Sequence, residues 1–93
     1  MYTIWPSRRY QRSYHRLHRS GKQKNIKILE RIINTLAAGQ ELKPSQHDHA
    51  LIGRMTGYRE YHIKPDLLLI YSKNEGHHLL ILADLGSHSE LFD

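Results

Sequence analysis

Gly57-Tyr58-Arg59-Glu60-Tyr61-His62-Ile63-Lys64-Pro65-Asp66-Leu67-Leu68-Leu69-Ile70-Tyr71 is the stretch that decides the fold of this chain. From Tyr58 to Lys64 the residues alternate. Tyr58, Glu60, His62 and Lys64 fall on one side, and Arg59, Tyr61 and Ile63 on the other, which is the period of a strand. Pro65-Asp66 supplies a turn. Leu67 to Tyr71 is almost continuously apolar, as expected of a strand in mid-sheet. Lys73-Asn74-Glu75-Gly76 marks a second hairpin turn, and His78 to Ala83 a further strand. The tail from Gly86 to Asp93 reads as irregular, closing on Leu91-Phe92.

Toward the N-terminus the period changes. Gln40 to His47 is polar and carries Pro44, so it reads as a loop. Before it, Ile26, Leu29, Ile33 and Leu36 recur at helical spacing, widened by Ile32 and Ala37, within a helix from about Lys22 to Ala38. Gly39 stops that helix. Ser7 is a plausible N-cap for an earlier helix through Ser20, whose apolar stripe is Tyr10, Tyr14 and Leu17. Gly21 ends it in a left-handed conformation. Tyr2 to Trp5, β-branched and aromatic, is a first strand stopped by Pro6. The order predicts a single α+β domain over residues 1–93. It has an N-terminal strand, a two-helix hairpin and then a mostly antiparallel sheet with the helices on one face.

Composition narrows the function. A chain of 93 residues buries a modest core, so a bound partner would add to its stability. The absence of cysteine excludes disulfides, thiolate metal sites and thiol catalysis. No stretch approaches the roughly 18 apolar residues of a membrane span, so no membrane partner is expected. The expected location is the cytoplasm. The formal net charge is +5, crowded into the first third as Arg8, Arg9, Arg12, Arg16, Arg19, Lys22, Lys24, Lys27 and Arg31 against the single acid Glu30. Taken singly, such residues can be a solvated helix face. Taken together they point to a polyanion, or to an acidic protein drawn by the same field.

The chain has eight histidines. His15, His18, His77 and His78 read as peripheral, while His47, His49, His62 and His88 fall in loops or near strand ends, where sites are usually built. Cleavage of RNA without a metal uses the neighbouring 2′-OH as nucleophile. A base takes its proton and an acid protonates the departing 5′-oxygen, and imidazole suits both tasks. Cations or donors must steady the crowded phosphorane, and an aromatic ring can hold a splayed base. His49, His62, Asp66, His88 and Phe92 are of the right types. His47-x-His49 has a spacing compatible with a metal, but no carboxylate–histidine motif accompanies it, so neither metal nor cofactor is expected.

Three blocks give these residues a context. Asp48-His49-Ala50-Leu51, the block from Gly57 to Asp66, and Gly86-Ser87-His88-Ser89-Glu90-Leu91-Phe92 resemble, in this order, segments of the YafQ-type toxins of the RelE superfamily. The resemblance spans the chain, with its specificity from Asp48 onward. It implies a RelE-like fold with a twisted sheet. It also implies cleavage of mRNA in the ribosomal A site, next to 30S ribosomal RNA, and a cognate antitoxin that blocks the activity. It makes His88 the candidate general acid, Asp66 with His62 or His49 the base side, and Phe92 the residue that stacks on an mRNA base. Two positions depart from the family pattern. Asp84 stands where an arginine usually precedes the last block, so either another cation supplies the phosphate clamp, or the endoribonuclease activity is weakened, or the substrate geometry differs. Arg59, Arg54 and Lys64 are the candidates, and Asp84→Arg is expected to raise cleavage if the missing clamp limits the rate. Leu67 stands where an aromatic can follow the turn. A ParE-like toxin acting on gyrase, or a ribosome-binding module that does not cut, is the competing reading. His49, His62 and His88 favour the nuclease over the ParE-like reading, whose toxins lack this histidine set, and Asp84 points toward a weakened or inactive cleavage site.

Overall fold

The computed structural model describes residues 1–42 and 48–92. Most of the expected loop, and the His47 half of the His47-x-His49 pair, lie outside the described residues.

The central hairpin forms as its pattern dictates. Strand β3 (Arg59–Lys64) runs antiparallel to β4 (Leu67–Asn74), with Arg59 opposite Tyr71, Glu60 opposite Ile70 and His62 opposite Leu68. β4 pairs antiparallel with β5 (Leu79–Gly86). The edges are β1 (Thr3–Pro6), parallel to β5, and the two-residue β2 (His49–Ala50), antiparallel to β3. The strand order is β1-β5-β4-β3-β2. The expected α+β arrangement is therefore the one observed.

The helical hairpin is built from local signals. Ser7 caps α1 (Arg8–Arg19), its hydroxyl oxygen accepting from Tyr10 N–H at 3.0 Å and donating to the Ala83 carbonyl on β5. Gly21 and Gly39 take φ of +78° and +81° just past α1 and α2 (Gln23–Ala37), a region closed to most side chains. Leu29, Ile32, Ile33 and Leu36 of α2 and Tyr10 of α1 meet Tyr61 and Ile63 of β3, Leu67, Leu69 and Tyr71 of β4, and Leu80, Leu82 and Leu85 of β5. Burying each large side chain contributes about 1.5–3 kcal/mol. Leu68 and Ile70, on the other face of β4, are also buried, which accounts for the unbroken apolar run.

Several boundaries differ from the sequence expectation, each for a physical reason. β1 includes Pro6, tolerated because β1 is an edge strand. β4 extends to Asn74, and β5 begins at Leu79, because His78 sits in the turn with φ +49°. β5 continues to Gly86 across a bulge, where Tyr71 pairs with Leu82 but Ile70 pairs with Asp84, leaving Ala83 as the extra residue. The bulge lets both Leu82 and Leu85 reach the core. The tail expected to be irregular forms a short helix, α3 (His88–Phe92). Its signal was Ser87-x-x-Glu90, a capping box: Glu90 N–H donates to Ser87 Oγ at 3.2 Å and Ser87 N–H to Glu90 Oε1 at 2.8 Å. Five residues are too few to display a helical period.

Candidate active site

Because Tyr61 and Ile63 turn into the helix-covered core, alternation puts Glu60 and His62 on the opposite face of β3. Pairing of β2 with β3 sets His49 directly across from Glu60. The result is a cluster. Glu60 Oε1 lies 2.9 Å from His62 Nε2, with the two side chains 12% and 27% exposed. The His49 ring stands edge-on to His62 with centroids 6.0 Å apart. A largely buried carboxylate needs a partner, and His62 supplies one. Two expected residues, His49 and His62, are thus brought together. Glu60 is the member that sequence reasoning missed. Its signal was the Glu-x-His alternation in β3, which shared the face with His62 but carried no assigned role.

Donor atoms of His49, Glu60 and His62 all lie within 4.8 Å of one another, a set able to hold a metal ion. The metal spacing considered from sequence, His47-x-His49, did not point to it, because the other two donors come from the neighbouring strand.

His88 opens α3, two residues beyond Gly86. Leu68 pairs with His62 on one side and with Gly86 on the other. At about 4.8 Å per strand spacing, Gly86 is roughly 10 Å from His62 across the sheet. The exposed His88 ring packs on Phe92 with centroids 4.9 Å apart. Ser87 N–H, then desolvation acting the other way and the Ser87 hydroxyl and Arg16, set the Glu90 carboxyl, which ends up below its ordinary value. Glu90 therefore stays ionised and α3 capped.

Asp66 is exposed in the β3–β4 turn and lines an open cleft of about 270 Å³ with Ser13, Arg16, Ser87 and Glu90. His49, Glu60 and His62 do not line it. Asp66 is thus grouped with the start of α3 rather than with the histidine pair.

The cations expected to clamp phosphate take different places. Arg59 lies on the Tyr71 side of the sheet, where Nε donates to Asp48 Oδ1 at 3.0 Å and Nη2 to the Asp48 carbonyl at 3.2 Å. The same carboxylate accepts from Tyr71 Oη at 2.9 Å. The hydrogen bond to Asp48 is the main reason the Arg59 guanidinium is held even more firmly in its charged form. Arg59 is therefore an anchor for the segment that carries His49, on the face away from Glu60. A register shift between His62 and Lys64 interrupts the alternation, so Lys64, although exposed, is not set beside His62 by period. Arg54 is exposed in a 3-10 turn, Gly53–Met55. Asp84 is occupied by α1: Ser13 Oγ donates to Oδ1 at 2.8 Å and Arg9 Nε lies 3.4 Å from Oδ2.

Known proteins share this fold. The family described as a bacterial toxin of type II toxin–antitoxin system, YafQ, matches residues 2–93. The mRNA interferase toxin YafQ of Escherichia coli (strain K12) is 42% identical over 45 residues, covering 48% of this chain and 47% of that protein. The match therefore spans about half of that relative's length. The structure of a metal-bound toxin from Helicobacter pylori superposes with a TM-score of 0.89 at 40% identity, covering 99% of this chain and 100% of that one. YafQ from E. coli strain BL21(DE3) superposes at 0.87 with 26% identity, and YafQ in the E. coli DinJ–YafQ complex at 0.86 with 26%, each covering 100% of both chains. With fold, order of elements and the full-length family match in agreement, the chain belongs to the YafQ family of bacterial type II toxin–antitoxin toxins.

Proposed function

We propose that this toxin is a metal-independent endoribonuclease that cuts mRNA in the ribosomal A site and is neutralised by a cognate antitoxin. The observation that carries the reading is the Glu60–His62 contact of 2.9 Å with His49 beside it. An acid–base pair of this kind suits proton abstraction from a 2′-OH. If Nε2 of His62 carries the proton and donates it to Glu60, Nδ1 is the acceptor nitrogen, so the carboxylate selects the tautomer and orients the ring. The 2′-oxygen attacks phosphorus, the P–O5′ bond breaks, and His88 delivers a proton to the 5′-oxygen. The products are a 2′,3′-cyclic phosphate and a 5′-hydroxyl. Phe92 stacks on a base, steadied against His88. Asp66 acts from the α3 side of the cleft, and Lys64 and Arg54, both exposed, are the cations that steady the phosphate.

The exposed arginines of α1 (Arg8, Arg9, Arg12, Arg16 and Arg19) suit 30S ribosomal RNA. The name of the curated relative, an mRNA interferase, supports the substrate, and the DinJ–YafQ complex supports an antitoxin partner. A second reading, a toxin that binds the ribosome or gyrase without cutting, is favoured by Asp84 in place of the family's arginine. Primer extension on translated mRNA separates the two. New 5′ ends with wild-type protein that vanish with His88→Ala support the nuclease. Inhibited translation with intact mRNA supports binding alone, and loss of supercoiling in a gyrase assay supports the ParE-like variant.

A further inference from the structure

We propose that Arg9, Arg12 and Arg16 of α1 form a binding site for a backbone phosphate of the mRNA strand, in the cleft between α1 and α3. That the strand is the one being cut rests on the function proposed above, whereas the affinity of the cleft for RNA phosphate does not.

The three arginines recur at i, i+3 and i+7, so they share one face of α1. That face lines an open cleft of about 210 Å³, bounded by Asp84 and Leu85 of β5 and by Glu90 and Leu91 of α3. Cations three and four residues apart on a helix repel one another. Two carboxylates offset this in part. Asp84 Oδ2 lies 3.4 Å from Arg9 Nε, and Glu90 Oε2 lies 3.9 Å from Arg16 Nε. Asp84 is already engaged, because its Oδ1 accepts from Ser13 Oγ and from Leu85 N–H. Arg12 is exposed and has no hydrogen bond or ion pair among the described residues. The cleft thus sets three guanidinium groups against two carboxylates, and an anion relieves the excess.

The planar fork of a guanidinium matches two oxygens of a phosphate. Arg9 and Arg16 are each more than half exposed and their ion pairs are long, so both can turn to a phosphate without losing a strong bond. The base of the cleft is fixed. Arg16 Nη2 donates to Ser13 Oγ at 3.4 Å, and the Ser13–Asp84 bond ties this part of α1 to β5.

The position of the cleft selects the RNA strand. Glu90 and Leu91 belong to the same short helix as His88 and Phe92. At about 1.5 Å of rise per residue, Leu91 stands roughly 5 Å along α3 from His88. A strand stacked on Phe92 with its scissile bond at His88 brings a neighbouring phosphate to the cleft. Arg8 and Arg19 do not line it and remain for 30S ribosomal RNA.

The test uses the intact toxin and a short single-stranded RNA with every 2′-hydroxyl methylated, so that it binds without being cut. Arg12→Gln should weaken binding at least about fivefold, the loss of one charge-assisted contact. The dependence of log K on log salt should flatten by about 0.7, one phosphate contact fewer on a single strand. Arg31→Gln removes the same charge from the exposed face of α2 and should change the affinity less than about twofold. Circular dichroism checks folding, and Arg9→Gln repeats the test if Arg12→Gln does not fold. No measurable binding by wild type, or equal losses in Arg12→Gln and Arg31→Gln, overturns the site. Vacant 30S subunits should bind wild type and Arg12→Gln within about twofold of each other. An Arg12→Gln protein that keeps its RNA affinity and loses its 30S affinity overturns the assignment in favour of ribosomal RNA. At limiting ribosome concentration, cutting of translated mRNA should fall in step with RNA affinity, and undiminished cutting by Arg12→Gln overturns the link to the cut strand. If wild-type toxin does not cut at all while the cleft binds RNA as described, the nuclease reading has failed and the phosphate site stands.

Discussion

Ser13 on α1 donates its hydroxyl to Asp84 Oδ1 on β5 across 2.8 Å, and that oxygen also accepts from Leu85 N–H at 2.8 Å. The carboxylate standing where the YafQ-type pattern has an arginine is therefore a latch between the first helix and the sheet. Its side chain is 15% exposed and Ser13 is buried, so the bond is shielded from water, whereas Arg9, 69% exposed, adds little through its ion pair.

Asp84→Ala should cost about 1–3 kcal/mol of stability, because Ser13 loses a charged acceptor. Urea denaturation measures it. The expectation that Asp84→Arg raises cleavage is revised by this contact. The new guanidinium would face Arg9 and leave Ser13 without its acceptor, so the melting temperature should fall with no gain in cutting. Faster cutting would restore the idea of a missing clamp.

Glu60→Gln keeps the size of the side chain but removes the charge that orients His62. Cleavage of translated mRNA should drop by about 10²–10⁴-fold, the usual range for an acid–base group, while thermal melting stays close to wild type. Undiminished cleavage would exclude Glu60 from the proton-transfer machinery.

A Cβ on Gly86 would meet Glu90 Oε1 at 3.0 Å and Glu90 Cβ at 3.4 Å. Gly86→Ala should push the carboxylate off Ser87 N–H, weaken the cap of α3 by about 1 kcal/mol, and release His88 and Phe92 from their common orientation. Amide hydrogen exchange at Leu91, whose N–H donates to the Ser87 carbonyl at 3.1 Å, should quicken, and cleavage should fall. Unchanged exchange would mean that α3 does not depend on this box.

Burial pushes the phenols of Tyr10, Tyr61 and Tyr71 above their ordinary value near 10, with Asp48 adding to the effect at Tyr61 and Tyr71. Below pH 10 these phenols are protonated in both folded and unfolded chains, and their contribution to stability is intact. Above it the unfolded chain ionises first, so stability is lost progressively as pH rises toward the native values. Absorbance at 295 nm should show these phenols ionising only as far-UV circular dichroism collapses. Their titration near pH 10 in a chain that remains folded would contradict the buried placement.

How much could be read in advance depended on the range of each interaction. The β3–β4 hairpin, both long helices and their glycine stops came from alternation, helical spacing and caps acting within a few residues. The α3 cap was equally local but too short to stand out. Glu60 escaped notice because its importance comes from contact with His62 and from the β2 strand laid beside it. Arg59 stood out as a candidate phosphate ligand because charge is visible in a sequence, whereas its bond to Asp48 depends on the face it occupies.

The order of residues by itself determined the types of the long elements, the family and the shared strand face of His62 and Glu60, since side-chain period and turn chemistry are properties of the local backbone. Only the tertiary structure decided that His49 joins them, that Asp66 lies in another cleft and that Asp84 fastens α1. Each of these depends on register and packing between segments 11 to 71 residues apart, and such closures are set by the whole core rather than by any neighbour in the chain.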